Sequence, residues 1–86
     1  MEYSGGVLMR IRESKGVALE AIAQRTKISL SHLRAIEGNI YDRLPARVYV
    51  RGFVAQYAKF LGLNAERVCA SYLAIYDRFV QARANP

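Results

Sequence analysis

One histidine, one cysteine and seven carboxylates are all that the sequence offers for catalysis. His32 has no second histidine to work with, so neither a metal cluster nor a nucleophilic triad can be assembled around it, and it reads as an exposed helix residue. The carboxylates are spread along polar faces with no evident buried pair for acid–base work. Gly5-Gly6-Val7-Leu8 lacks the Lys-Ser/Thr of a phosphate loop, and no Gly-x-Gly-x-x-Gly follows a strand. Cys69 excludes an internal disulfide and falls on an apolar helical stripe, where a thiol is a small buried hydrophobe. These residue types argue against an enzyme. No metal, cofactor or small-molecule substrate is expected.

Two groups of residues could bind a macromolecule instead. Tyr49 and Phe53 are aromatic and share a helical stripe, with Arg47, Arg51 and Lys59 close in sequence to meet acidic groups. Arg51 stands between the two aromatics in sequence, which favours it as part of such a surface. The second group is small, polar and basic: Ser29, Leu30, Ser31, His32 and Arg34, with Lys15, Arg25 and Lys27 near enough to meet phosphates.

The elements that carry these groups are helices. Leu44 to Leu63 organises the chain: Pro45 suits the first helical position and Gly62 the left-handed residue that ends a helix, giving roughly four turns from Ala46 to Leu61. At about 100° per residue, Val50, Val54, Tyr57 and Leu61 form one apolar stripe, and Tyr49, Phe53 and Phe60 an adjacent one. Phe60 is expected to be internal. By periodicity alone Tyr49 and Phe53 could also pack under the last helix or against the loop at Tyr41. Gly52 costs about 1 kcal/mol relative to alanine inside a helix, so either a close helix crossing or open access to the flanking aromatics should require it.

Before this helix, Ser4 caps a first helix with Val7, Leu8 and Ile11 on one face, closed by Gly16. Val17 to Arg25 forms a second, with Leu19, Ile22 and Ala23 inward; Thr26-Lys27-Ile28 is a turn, and Ser29 caps a third helix from Leu30 to about Glu37 with Leu33 and Ile36 inward. Gly38 to Arg43 reads as a loop pinned by Ile40, Tyr41 and Leu44. Asn64 caps a fifth helix bearing Val68, Tyr72, Ile75, Tyr76 and Phe79, fraying toward Ala84-Asn85-Pro86. Nothing alternates as a strand, so the fold expected is an all-α five-helix bundle. The second and third helices, with Ala21 and Ala23 to allow close crossing, fit a helix-turn-helix, although an α-hairpin in a bundle reads the same way.

A chain of 86 residues is one small domain, and a hydrophobic share of 52% argues against disorder. No apolar run approaches the ~18 residues that span a bilayer, and no leader-like segment opens the chain, so a soluble cytoplasmic segment is expected. The net charge of +6 suits an anionic partner: nucleic acid, an acidic protein or a lipid surface. A lipid surface prefers a concentrated Lys/Arg cluster that the sequence lacks.

Several blocks carry a resemblance: Arg10-Ile11-Arg12-Glu13-Ser14-Lys15-Gly16, Ala23-Gln24-Arg25-Thr26-Lys27-Ile28-Ser29, Leu33-Arg34-Ala35-Ile36-Glu37, and Leu44-Pro45 followed by Tyr49-Val50-Arg51-Gly52-Phe53, Tyr57-Ala58 and Leu61-Gly62-Leu63. Together they resemble the cytoplasmic domain of the RodZ family of bacterial cell-shape factors, within the Cro/repressor-like helix-turn-helix superfamily. The Tyr-Val-Arg-Gly-Phe block after Leu-Pro is the specific part. The resemblance implies residues 1–86 as a single domain, a fragment of a longer chain or the same domain in another architecture, at the cytoplasmic face of the inner membrane. It implies docking on the actin-like filament protein MreB, with the contact aromatics at Tyr49 and Phe53.

The wider superfamily implies DNA binding as the alternative. DNA readers there often carry Gln at the start of the second helix and early in the third, where an amide can pair with adenine. This chain has Leu19 and Leu30 at those places, and Ala18 where a Ser cap is common. The alternative function is thus a DNA-binding transcriptional regulator domain, with Leu30, Ser31, His32 and Arg34 in the major groove and Lys27 and Arg25 on phosphates, its duplex contact expected to be weak and salt-sensitive.

Overall fold

The structure is a computed structural model and describes residues 1–84. Its helices are α1 (Gly5–Ser14), α2 (Leu19–Thr26), α3 (Leu30–Gly38), α4 (Arg47–Phe60) and α5 (Ala65–Ala84), with a 3-10 turn at Tyr41–Arg43 ahead of α4. Among the described residues there is no strand, and the fold is all-α. The fraying expected at Asn85-Pro86 lies outside the described residues.

The helix starts follow from side-chain oxygens placed to accept otherwise unpaired N–H groups. Ser4 Oγ accepts from Val7 N at 3.3 Å, Ser29 Oγ from His32 N at 3.1 Å, and Asn64 Oδ1 from Arg67 N at 3.0 Å. Ala18 offers α2 no such oxygen, and that helix starts at Leu19, two residues later than the apolar spacing predicts. Likewise α4 starts at Arg47 behind an extended Ala46, which leaves Pro45 ahead of the cap rather than inside the helix. At its other end Gly62 is left-handed (φ 75°), and Leu63 N reaches Ala58 O at 2.9 Å, closing the helix as expected.

The core sits on α4. Val50, Val54 and Tyr57 are fully buried and Leu61 nearly so, and they meet Leu8, Ile22, Leu33, Ile36, Val68 and Tyr72 from the other helices. Along its length α4 packs on α5, while α1 packs on α3 and α2 contacts both α3 and α4. Ile28, in the turn between α2 and α3, is also buried. It nails the turn to the core and so fixes how α3 leaves α2.

Three expectations are corrected. Ile40 is 46% exposed and lies over Gly38 rather than in the core. The loop is held instead by the Tyr41 ring, edge-on to Tyr72 and Tyr76 and 4.8 Å from Phe79. Phe60 is exposed, because the chain around it turns away at Gly62 before anything covers the last turn of α4. Ala21 is exposed and permits no crossing. The tight approach falls at Gly5, where a Cβ would lie 2.1 Å from the Ile36 carbonyl oxygen, so α1 and α3 touch backbone to backbone.

Candidate docking surface

The orientation of α3 against α4 is fixed by a buried carboxylate that sequence reading placed on a polar face. Glu37 follows Leu33 by four residues on the inner side of α3, and only 5% of its side chain is exposed. Arg12 of α1 donates to it from Nε at 2.7 Å and Nη2 at 3.1 Å, and the same guanidinium gives Nη1 to the Val17 carbonyl at 2.8 Å. From α4, Tyr57 Oη lies 2.5 Å from Glu37 Oε2 and 3.1 Å from the Leu8 carbonyl. Burial, and then the hydrogen bond to Glu37, push the Tyr57 hydroxyl far above its ordinary range, while the bond to Glu37 raises Arg12. No buried side-chain nitrogen or oxygen among the described residues lacks a partner. A satisfied buried charge pair holds its elements in one geometry, since any shift would strand a charge.

On that frame α4 presents its second stripe. Tyr49, Gly52, Phe53, Gln56 and Phe60 fall within a narrow arc at about 100° per residue. Tyr49 is 60% exposed; Phe53 is half-buried, its ring 5.4 Å from that of His32 on α3. A Cβ at Gly52 would touch nothing within 4 Å. No helix crossing requires this glycine, and it leaves a bare spot between the two aromatics.

Arg47 and Arg51 do not join them. Arg51 is two residues from Tyr49, which turns it about 200° around the helix. It lines the groove between α4 and α5 with Glu66, Cys69 and Asp77. Arg47 faces the same way and is already engaged, giving Nε and Nη2 to the Asp77 carboxylate at 2.8 Å each. That bond holds the Asp77 carboxyl below its ordinary range. The Cys69 thiol is buried there as expected, 3.5 Å from the Arg51 carbonyl, and its loss of solvent pushes its pKa up.

The second group of residues is divided as well. Ser31 and Arg34 are exposed on α3, but the Ser29 hydroxyl is occupied as the cap and Leu30 packs against the core. Lys27 holds the left-handed end of α2 (φ 64°). His32 leans on Phe53, so the front of α3 and the aromatic stripe of α4 form one continuous face. Arg25 lies at the other edge of that face, in an open cleft of about 480 Å³ with Thr26, Gln56, Lys59 and Phe60. Gln56 and Phe60 were readable at i+7 and i+11 from Tyr49, but only the absence of a covering element reveals that they are surface.

Two helices joined by Lys27 to Ser29, capped by a serine and braced by three others, define a helix-turn-helix domain. The chain matches the helix-turn-helix domain family over residues 7–68 and belongs to it. It is 34% identical over 68 residues to the cytoskeleton protein RodZ of Streptococcus pneumoniae, covering 79% of this chain and 25% of that protein. It is also 38% identical over 52 residues to the uncharacterized membrane protein YmfM of Bacillus subtilis, covering 60% of this chain and 18% of that one. Within its family the chain is thus a RodZ-type domain, spanning a quarter or less of these curated relatives. No solved structure matches it. Among the described residues, no helix is long and apolar enough to cross a membrane.

Proposed function

We propose that this chain is a non-enzymatic docking module of a bacterial cell-shape scaffold, working in the cytoplasm as one domain of a longer protein and seating on the actin-like filament protein MreB. The observation that carries this reading is Tyr49, a large aromatic left 60% exposed on the most deeply anchored helix. A rigid aromatic with a polar tip gives contact area at little entropic cost, and interface energy concentrates on such residues. Phe53, braced by His32, is the second anchor. Arg51 is a peripheral cation on the far side of α4, and Arg47 contributes only by leaving Asp77. The net charge of +6 steers encounter with an acidic surface. Similarity to the pneumococcal cytoskeleton protein supports the choice of partner class.

Co-sedimentation with polymerised MreB tests it. Tyr49→Ala should lower affinity by about tenfold or more, as for an interface anchor, without moving the thermal midpoint. Unchanged sedimentation would remove Tyr49 from the interface, and an unfolded variant would make it structural.

A second reading rests on the exposed Ser31 and Arg34 of α3. With Leu30 turned to the core and Ser29 capping the helix, these residues and Arg25 support phosphate contact rather than base readout. Duplex binding of this kind is weak and falls steeply with salt. Saturable NMR shifts from Ser29 to Arg34 at physiological salt, lost in Arg34→Ala and kept in Tyr49→Ala, would favour it over docking.

A further inference from the structure

The cleft between the end of α2 and the last turns of α4 has chemistry that the two anchors do not use. Thr26 is occupied within its own turn: Oγ1 donates to the Ile22 carbonyl at 2.7 Å and accepts from Ile28 N at 3.2 Å. The other four lining residues are exposed. Arg12, Arg47, Arg78 and Arg83 each hold a carboxylate, and Arg25 and Lys59, like the other basic side chains, form no ion pair among the described residues; what sets these two apart is that they line one cleft. Two unpaired cations in one cleft call for an anion. Beside them stand the Phe60 ring, 36% exposed, and Gln56, which can both donate to and accept from a peptide backbone.

We propose that this cleft receives an acidic peptide segment of a protein partner, with a carboxylate between Arg25 and Lys59 and a neighbouring apolar side chain on Phe60. A duplex backbone would satisfy the cations, but its bases are stacked inside the helix and offer no face to the Phe60 ring. The proposal rests on the reading of α4 as a docking helix and gives that helix a second contact. From Tyr49 to Phe60 the stripe runs about 16 Å at 1.5 Å per residue. An aromatic anchor at one end and a charged notch at the other set the direction in which a partner lies along α4.

The probe is a pool of acetylated hexapeptides, each with one Phe or Leu and two or three Asp or Glu, set against the matching pool with Asn and Gln. Both are titrated into the isotope-labelled chain at physiological salt while backbone amide shifts are followed. The acidic pool should shift residues 25–26 and 56–60 saturably and the neutral pool should not. Lys59→Gln should weaken the response about threefold, as for one exposed ion pair, and Phe60→Ala about tenfold, as for a covered aromatic. Both residues are exposed, so neither change should move the thermal midpoint. Equal shifts with the neutral pool, or none with either, overturn the proposal. So does a mixed-sequence duplex that shifts these residues where the acidic pool does not, which would assign the cleft to phosphate contact. Co-sedimentation separates this from the docking reading: if Tyr49→Ala loses the filament while the peptides leave the cleft silent, only the cleft fails. If the cleft binds acidic peptide while Tyr49→Ala and Phe60→Ala sediment unchanged, only the filament reading fails.

Discussion

Two arginines each grip a carboxylate with two hydrogen bonds, one where α1, α3 and α4 meet and the other between α4 and α5. Arg12 and Glu37 leave only 12% and 5% of their side chains exposed, while Arg47 and Asp77 leave 52% and 43%. The Nε bonds have nearly the same length, so the difference lies in burial and in the further partners of the inner pair, the Tyr57 hydroxyl and the Val17 carbonyl. Inside, each partner has given up water and depends on the other; outside, water competes for both. The glycines divide the same way. Gly5 on the buried side has backbone 2.1 Å from where its Cβ would be, and Gly52 on the open side has nothing. The face of α4 toward α1 and α3 is built to hold still, the groove toward α5 is bridged at its rim, and the face that carries Tyr49 and Phe53 is left unfilled.

Breaking the inner pair should therefore have the largest effect. Glu37→Gln keeps the shape but strands the Arg12 cation, and a cost of about 3–5 kcal/mol is expected in urea unfolding. The outer counterpart, Asp77→Asn, should leave the same midpoint unchanged. Equal losses from both would mean that burial is not what separates them. Gly5→Ala comes next: the added methyl meets the Ile36 and Glu37 carbonyls rather than a yielding side chain, so α1 must back away from α3. A loss of about 1–3 kcal/mol is expected, as for overpacking. Native-like stability in that variant would show that the two helices have room.

The inner network also sets a pH limit. Tyr57 and Tyr72 are both raised above the ordinary 10.0, in each case chiefly by burial. A raised pKa gives stability that is complete below the unfolded value and is lost as pH climbs toward the folded one. The domain should hold its midpoint up to about pH 10 and weaken above it. Tyr57→Phe should cost about 1.5–3 kcal/mol at neutral pH through the lost hydrogen bond to the buried carboxylate, and should flatten the alkaline decline. An alkaline profile identical to the parent's would place the limit elsewhere.

The core stripes of α4 and α5 were legible in the sequence because helical periodicity is local, and the serine and asparagine caps because each acts within its own first turn. Glu37 was not legible, although it stands at i+4 from Leu33 on the inner face. Its partners lie 25 and 20 residues away, and nothing local announces that a cation and a phenol will meet it. Phe60 failed for a related reason: periodicity gives the width of an apolar face but not which part a neighbour covers. Arg51 is different, since the same 100° rule that aligned Tyr49 with Phe53 already turned Arg51 away from them. Adjacency in sequence stood in there for adjacency in space.

The smallest expected change bears most directly on function. Gly52→Ala introduces a methyl that meets no atom of the chain and removes a helix penalty of up to about 1 kcal/mol, so the thermal midpoint should rise. If the bare spot between Tyr49 and Phe53 is where a partner comes close, the more stable variant should bind the filament less well. Stability and affinity would then move in opposite directions through one methyl group, which a purely structural role for the glycine does not allow. A raised midpoint with unchanged co-sedimentation would show that the partner does not reach this spot. The open side of α4 would then owe its emptiness to no contact between the anchors, and the cleft at Phe60 would be left as the place where that side is read.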